Sequence, residues 1–450
     1  MNRVVAFALG FMVSCAPVPQ DAPPSRALAM ADSLPPMRVF NNDYVAPALR
    51  SNTEIAQDFL DLSFRMESGR AVPQLTRFEG PITVRATGDT NPTLLRDLDQ
   101  LLARLRTEAR IDITMVPEDQ QAAITIQALP RATMHAAVPR AACFVVPRLT
   151  SWEEFKIARR TPQVDWTTLT RRDRAAIFVP SDVAPQESRD CLHEELAQAL
   201  GPLNDLYRLP DSVFNDDNIH AVLTSFDMLV LRTFYDPALS NGMTRGDVAA
   251  RLPAILTRLN ARGANNQGRP LNDTSRDWIE AMETALASGS TPNKRRMAAQ
   301  QAIHLGQAFG WSGTRIGFAR YAHGRLQVGS DPQAALDSFN AANTAYQVQP
   351  NTLIHAAHIA VQQAAFFLAA GDAASTIALA DQNLDVAARH QNAALLSTLM
   401  MFKAAALEMR GDSAQAEAVR LDSLGWARYG FGSDANVQAR LDEIAALRPY

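Results

Sequence analysis

Three stretches in the last third of the chain, GSDPQAAL, GDAASTIAL and GDSAQAEAV, repeat one turn, with Asp331, Asp372 and Asp412 spaced 41 and 40 residues apart. Each turn lies between two segments rich in Ala and Leu at helical spacing, so the repeating unit is a helical hairpin. A hairpin of this size cannot bury its apolar face alone. A fixed period of about 40 residues therefore implies units that stack on their neighbours. The competing arrangement is a plain helical bundle in which similar turns coincide. Either way, this third of the chain is all-α.

At 450 residues the chain is too long for one core. Residues 53 to 66, TEIAQDFLDLSFRM, have helical periodicity, whereas PITVRAT from Pro81 alternates like a strand. Asn91-Pro92 caps a helix with Leu94, Leu95, Leu98, Leu101, Leu102 and Leu105 on one stripe. Four short apolar runs follow, IDITMV, AAITIQAL, ACFVV and AAIFV, each bounded by polar residues or Pro and each predicted as a strand. A helix containing HEELAQALG comes next. From Asn218 the pattern is helical, including IHAVLTSFDMLVLRTF, with Asp216-Asp217 read as the acidic opening of that helix. Further helices are expected near Thr244 and Ser275. The Gly, Asn and Pro content of residues 263–273 marks a boundary. The expected class is α+β: an α/β domain over residues 51–262, then a helical array over 274–450. The first hairpin resembles a tetratricopeptide repeat, with Ala335, Phe339 and Ala342 at that family's spacing, although the period is longer. The array is accordingly expected to be tetratricopeptide-like.

The N-terminus reads MNRVVAFALGFMVSCAPVPQDAPP. Arg3 and the apolar run Val4 to Val13 have the proportions of a secretory signal, too short to span a bilayer. Met12-Val13-Ser14-Cys15 resembles a bacterial lipobox, with Met where Leu is usual. That resemblance implies a signal peptide over residues 1–14 and a lipid on Cys15. It also implies a flexible tether over 15–50 and the periplasmic side of the outer membrane, since the Asp that retains such proteins in the inner membrane is missing. A plain secretory signal with an incidental Cys is the alternative. In an oxidising periplasm the remaining pair, Cys143 and Cys191, invites a disulfide, against two buried free thiols.

The formal net charge is −4, which gives no reason to expect nucleic acid as a partner. No Gly-rich phosphate loop, nucleophile elbow or CxxC pair is present. His220, His304 and His323 are read as isolated helix residues. The chemistry-bearing stretch is CLHEELAQALGPLND, from Cys191 to Asp205. Its literal HExxH frame fails, because Ala197 holds the second His position, and Gln198 lies about 140° around a helix from His193. Shifted by one residue, Glu194, Glu195, Gln198, Gly201 and Asn204 form ExxxQxxGxxN. Leu192, Leu196, Leu200 and Leu203 make the apolar face opposite Glu194, Gln198 and Gly201.

This shifted frame resembles the metzincin signature HExxHxxGxxH, with each His replaced by a residue offering oxygen. AAITIQAL looks like the edge strand of a metzincin cleft. Ser212-Val213-Phe214 resembles the Met-turn, with Phe214 in place of Met. The HEExxQxLG helix and the Phe214-Asn215-Asp216 stretch also resemble a proteobacterial family of unknown function whose members are described as lipoproteins. The resemblance implies a zincin-like mixed sheet over about residues 53–235. It assigns metal-ligand positions to Glu194, Gln198 and Asn204, with His193 and Asp205 as alternative ligands, and the general-base position to Glu195. One carboxylate and two amides suit harder ions better than zinc. The expected function is therefore a degenerate peptidase fold that binds a peptide or protein partner in the periplasm, without a cofactor. Two alternatives stand beside it: a hydrolase using zinc or another divalent cation, and a purely structural envelope protein.

Overall fold

The computed structural model describes residues 34–40, 50–139, 141–266, 268 and 271–449. The signal peptide, Cys15 and most of the tether lie outside the described residues. Among those described, no helix is long and apolar enough to cross a membrane.

The α/β region opens with α1 (Asn52–Ser63), capped reciprocally by Ser51 and Glu54. Then come β1 (Ile82–Gly88), α2 (Pro92–Thr107), β2 (Ile113–Met115), β3 (Ile124–Leu129), α3 (Arg131–Ala137), β4 (Phe144–Pro147), α4 (Trp152–Ala158), β5 (Ala175–Pro180) and α5 (Pro185–Leu200). The five strands form one mixed sheet in the order β2-β1-β3-β5-β4. β1, β2, β3 and β5 run parallel, and β4 pairs antiparallel with β5. Alternate residues of β5 enter two different cores. Ile177 and Val179 face α1, α2 and α5, whereas Ala176 and Phe178 meet Trp152 and Phe155 of α4. Burial on both faces is why AAIFV reads as an unbroken apolar run.

Several sequence expectations need correction. AAITIQAL is β3, in the middle of the sheet, and the edge strand beside α5 is β4. The short helices α3 and α4 stand where only strands and loops were expected. The segment read as a helix from Ile219 is a loop up to Thr224. The helix is α6 (Ser225–Phe234), capped reciprocally by Thr224 and Asp227 rather than by Asp216-Asp217. Val222 and Leu223 continue the helical spacing of Phe226, Leu229 and Val230 but belong to the loop, where Ile219, Ala221 and Leu223 are buried. Residues 34–40 of the expected tether pack on a C-terminal helix: Phe40 stacks on Trp426 and the Arg38 N–H donates to the Gly425 carbonyl.

After α7 (Arg245–Leu259) the chain is a run of packed antiparallel helices. These are α8 (Arg276–Leu286), α9 (Pro292–Ala308), α10 (Thr314–Gln327), α11 (Pro332–Gln347), α12 (Leu353–Ala369), α13 (Ala373–Arg389), α14 (Ala393–Met409), α15 (Ser413–Phe431) and α16 (Asp434–Ala445). The three recurring turns join α10 to α11, α12 to α13 and α14 to α15. Asp331 and Asp372 cap their helices by accepting from the Ala334 and Ser375 N–H groups. Gly371 and Gly411 adopt the positive φ that ends the preceding helix. Small residues let helices approach: a Cβ on Gly324 would lie 2.7 Å from the Phe339 ring.

Candidate functional site

α5 leaves β5 through a tight turn with Pro185 in its first turn, and the Ser188 hydroxyl ties it back to the Pro180 carbonyl. Midway, Cys191 is joined to Cys143 beside β4 by a disulfide with Cα atoms 5.9 Å apart. The helix ends against Arg172, which is 4% exposed. Its guanidinium donates to the carbonyls of Gln198, Ala199 and Gly201 at 2.6, 2.7 and 2.5 Å. A buried cation therefore satisfies the orphan carbonyls and the dipole together. Burial lowers its pKa to about 10, so it stays charged at neutral pH. Gly201 is extended, and its missing side chain makes room for Phe234, whose ring a Cβ would meet at 2.9 Å.

The loop from Gly201 to Thr224 is fastened to α1 and to itself. The Asn204 amide donates to the Asp61 carbonyl, and Arg208 bonds Asp58 at 2.9 Å and Asp61 at 2.7 Å. Asn215 donates to the Leu209 carbonyl and to Asp217. Phe214 is fully buried in the core that also holds Leu192, Leu196 and Leu200. The turn read as Met-turn-like is thus part of the packing beneath α5.

The structure divides the sequence candidates. The His193 ring turns from the cleft, and its Nδ1 accepts from the Leu223 N–H at 3.1 Å. Burial, with Arg104 and Arg189 nearby, holds it neutral, its pKa well below the usual imidazole value. Asn204 lines the cleft with its amide committed to α1. Glu194, Glu195, Gln198 and Asp205 come together, joined by two residues the motif did not include, Glu67 and Asp216. Gln198 donates to Glu67 at 3.5 Å, and Glu67 and Asp205 are hydrogen-bonded carboxyls. Burial first, then Glu67 and Asp216, raises the pKa of Glu194 to about 7. Asp216 is raised to about 7 by burial first, then by Glu67, Asp217 and Glu283. Glu195 and Asp205 are raised well above the carboxylate range, again by burial first and then by this same group. Glu195 Oε2 and Asp205 Oδ1 are buried with no hydrogen-bond partner.

Among the described residues, no three His, Cys, Asp or Glu side chains are arranged to hold a metal ion. With His193 turned away, the donor set does not fit the zinc of the hydrolase alternative. Of this group, Glu67, Asp205 and Asp216 line a cleft of about 1220 Å³, walled by the loop through Tyr207 and by Ile279 and Glu283 of α8.

A second titratable cluster lies where the α/β region meets the helical array. His220, expected alone in a helix, is a loop residue whose ring lies 5.7 Å from that of His355 and 5.5 Å from that of His390. His355 also bonds Asp217 at 3.2 Å.

No curated protein and no solved structure gives a match to the chain. The sheet, the motif helix, the fastened loop and most of α7 fall within residues 52–254, and that region matches the model of the family described as "Protein of unknown function (DUF2927)".

Proposed function

We propose that the chain is a cell-envelope lipoprotein whose α/β domain keeps a zincin-like fold without a peptidase's metal set, and that it holds a peptide or protein partner in its cleft. One observation carries this reading. The helix that would present ligands sets Gln198 against Glu67 at the edge of the cleft, while its one imidazole, His193, is bonded to the Leu223 backbone. The antiparallel edge strand β4 beside α5 supports the zincin-like comparison, since such an edge is where an extended peptide adds to a sheet. The helical array supplies a second interaction surface. A hydrolase with non-standard ligands is favoured by one feature, the buried and unpartnered Glu195 at the general-base position.

Fluorescence anisotropy with a mixed peptide panel tests the two readings. Saturable binding that survives chelator, with no cleavage, is the expected result. Cleavage abolished by Glu195→Gln would replace the binding module with the enzyme. The anchor has its own check: a palmitate analogue should label the protein, and Cys15→Ser should release it from membranes.

A further inference from the structure

We propose that the histidines packed between the fastened loop and the helical array form an acid-operated latch, which frees the cleft's occupant when it opens. The occupant rests on the peptide-binding reading; the latch does not. Two neighbours in the chain carry the connection. Asp216 lines the cleft, and Asp217, the next residue, accepts from His355 of α12 at 3.2 Å. Asp205 and Tyr207 of the same loop also line the cleft. Its His220 meets His355 and His390, with ring centres 5.7 and 5.5 Å away. The loop thus belongs at once to the cleft and to a histidine contact with α12 and the α13–α14 turn. A displacement of the loop from the array displaces part of the cleft wall with it.

The contact is built for neutral rings. Asp217 is already filled, its Oδ2 accepting from Asn215 as well as His355 and its Oδ1 from the Ile219 N–H. With its Nε2 on Asp217, the fully buried His355 has an Nδ1 without a partner. The buried Nε2 of His358 and hydroxyl of Tyr346 have none either, and the Tyr346 ring lies 4.9 Å from that of His355. His220 has its Nε2 committed to the Pro210 carbonyl. A proton added at an unpartnered nitrogen here makes a buried charged donor with no acceptor.

The charged groups facing these rings are Asp211 and Asp217 on the loop, Arg325 on α10 and Arg389 at the end of α13. Burial first, then the neighbouring imidazoles, lowers His220, His358 to about 4 and His390 to about 3. The closed contact therefore holds these three rings neutral, and it weakens as pH falls below the ordinary imidazole value. At pH 5 each ring that opening exposes to water favours the open loop by about thirtyfold, and at pH 7.5 by almost nothing.

Two readouts on the full mature chain at pH 7.5, 6 and 5 test the idea. Hydrogen exchange, corrected for the pH dependence of the intrinsic rate, follows residues 215–222. Fluorescence anisotropy follows the tightest-binding peptide of the mixed panel, chosen without Asp, Glu or His. At pH 5 the loop is expected to lose at least about tenfold in protection while the sheet keeps its own, and peptide affinity is expected to fall at least about tenfold. Combining His220→Gln with His390→Gln should move both changes to lower pH; His390→Gln alone should move them less. Circular dichroism at pH 7.5 verifies that the variants fold. Loop protection that stays constant down to pH 5, or falls equally in the variants, would overturn the latch. Peptide release that the variants do not shift belongs to the cleft carboxyls and would overturn the coupling, leaving the binding module standing. Loop opening with no peptide bound at any pH would overturn the peptide reading and leave the latch. Zinc chloride at pH 7.5 is the last arm, and it is expected to change nothing, since no three such side chains among the described residues are arranged for a metal. Loop protection gained with zinc and lost in His390→Gln would overturn the proton latch in favour of a metal site.

Discussion

The carboxyls clustered about α5 store a pH dependence whose sign follows from their surroundings. Glu194 and Asp216 have folded-state pKa values raised to about 7, so the folded protein binds their protons more tightly than the unfolded chain does. The stability they contribute is fully present below the ordinary carboxylate range and is lost as pH rises through about 7. Above that value the folded state keeps mutually repelling charges that the unfolded chain disperses. Glu194→Gln and Asp216→Asn should therefore raise the melting temperature at pH 8.5 and change it little at pH 4. Equal shifts at both pH values would mean that the amides act through packing and that the repulsion is absent. Of these residues the motif made only part legible. Glu194, Glu195 and Gln198 were readable because helix periodicity places them. Asp205 was readable by its nearness to the motif. Glu67 and Asp216 sit in loops with no periodicity, and only the folding of α1 and the fastened loop against α5 brings them to the same cluster. Asp216 was quoted as part of a family stretch, yet its acidic neighbour Asp217 made the pair look like a helix start.

At the scale of single elements, α5 is held by two crosslinks of different kinds. The disulfide ties its middle to the β4 side of the sheet, and Arg172 ties its end to three carbonyls. Replacing Arg172 with Met keeps the apolar stem but leaves three buried carbonyls without donors. Each such loss costs about 1–3 kcal/mol, so urea unfolding should show a deficit of about 3 kcal/mol or more. Lys should rescue only part of it, because an ammonium cannot reproduce the planar fork. A near-wild-type Met variant would show that water replaces the guanidinium. For the disulfide, a non-reduced digest should yield linked Cys143 and Cys191 peptides, and removing the bond should cost about 2–4 kcal/mol. Two freely alkylated thiols in native material would sink the bond. The two ends of α5 also show what local sequence can convey. Pro185 in the first turn and Gly201 at the end are local signals that neighbouring residues carry, although only Gly201 was read, as a motif position. Arg172 was not, because a cap supplied from about thirty residues upstream leaves no mark near the helix. The start of α6 was available in Thr224 and Asp227, a capping box overlooked because the apolar residues before it suggested an earlier start.

Across the whole molecule, the hydrophobic cores fall largely on either side of residues 263–273, with Tyr207 and Ile219 of the loop inserted among the C-terminal helices. Polar contacts also cross the junction: Gln186 and Arg189 reach the α13–α14 turn, and Tyr429 donates to Asp97 at 2.6 Å. A fragment from Thr274 to Tyr450 should thus be soluble and almost wholly helical, while melting below the full chain. The reciprocal fragment from Ser51 to Arg262 should keep mixed α/β content. Strand signal in the first, or aggregation of both, would mean that the halves share one core. The histidines at this junction predict how it responds to acid. Burial comes first, then other cationic neighbours, in holding His358 at about 4 and His390 at about 3, and His220 is lowered in the same way. Asp217 and Asp211 on the loop oppose this, whereas His355 on α12 and Arg389 on α13 add to it. Each depressed imidazole contributes stability that is present above its ordinary value of about 6.5 and is lost as pH falls towards 4 and 3. The loss falls on the contact between the loop and α12–α13, not inside either core. Scanning calorimetry should then show a single transition at pH 7.5 that broadens or divides near pH 5, with the two halves melting separately. His390→Gln, which removes one titrating ring, should move that division to lower pH. A transition that stays single and merely shifts down would place the acid-labile step in the cores and leave the junction histidines without a role in it.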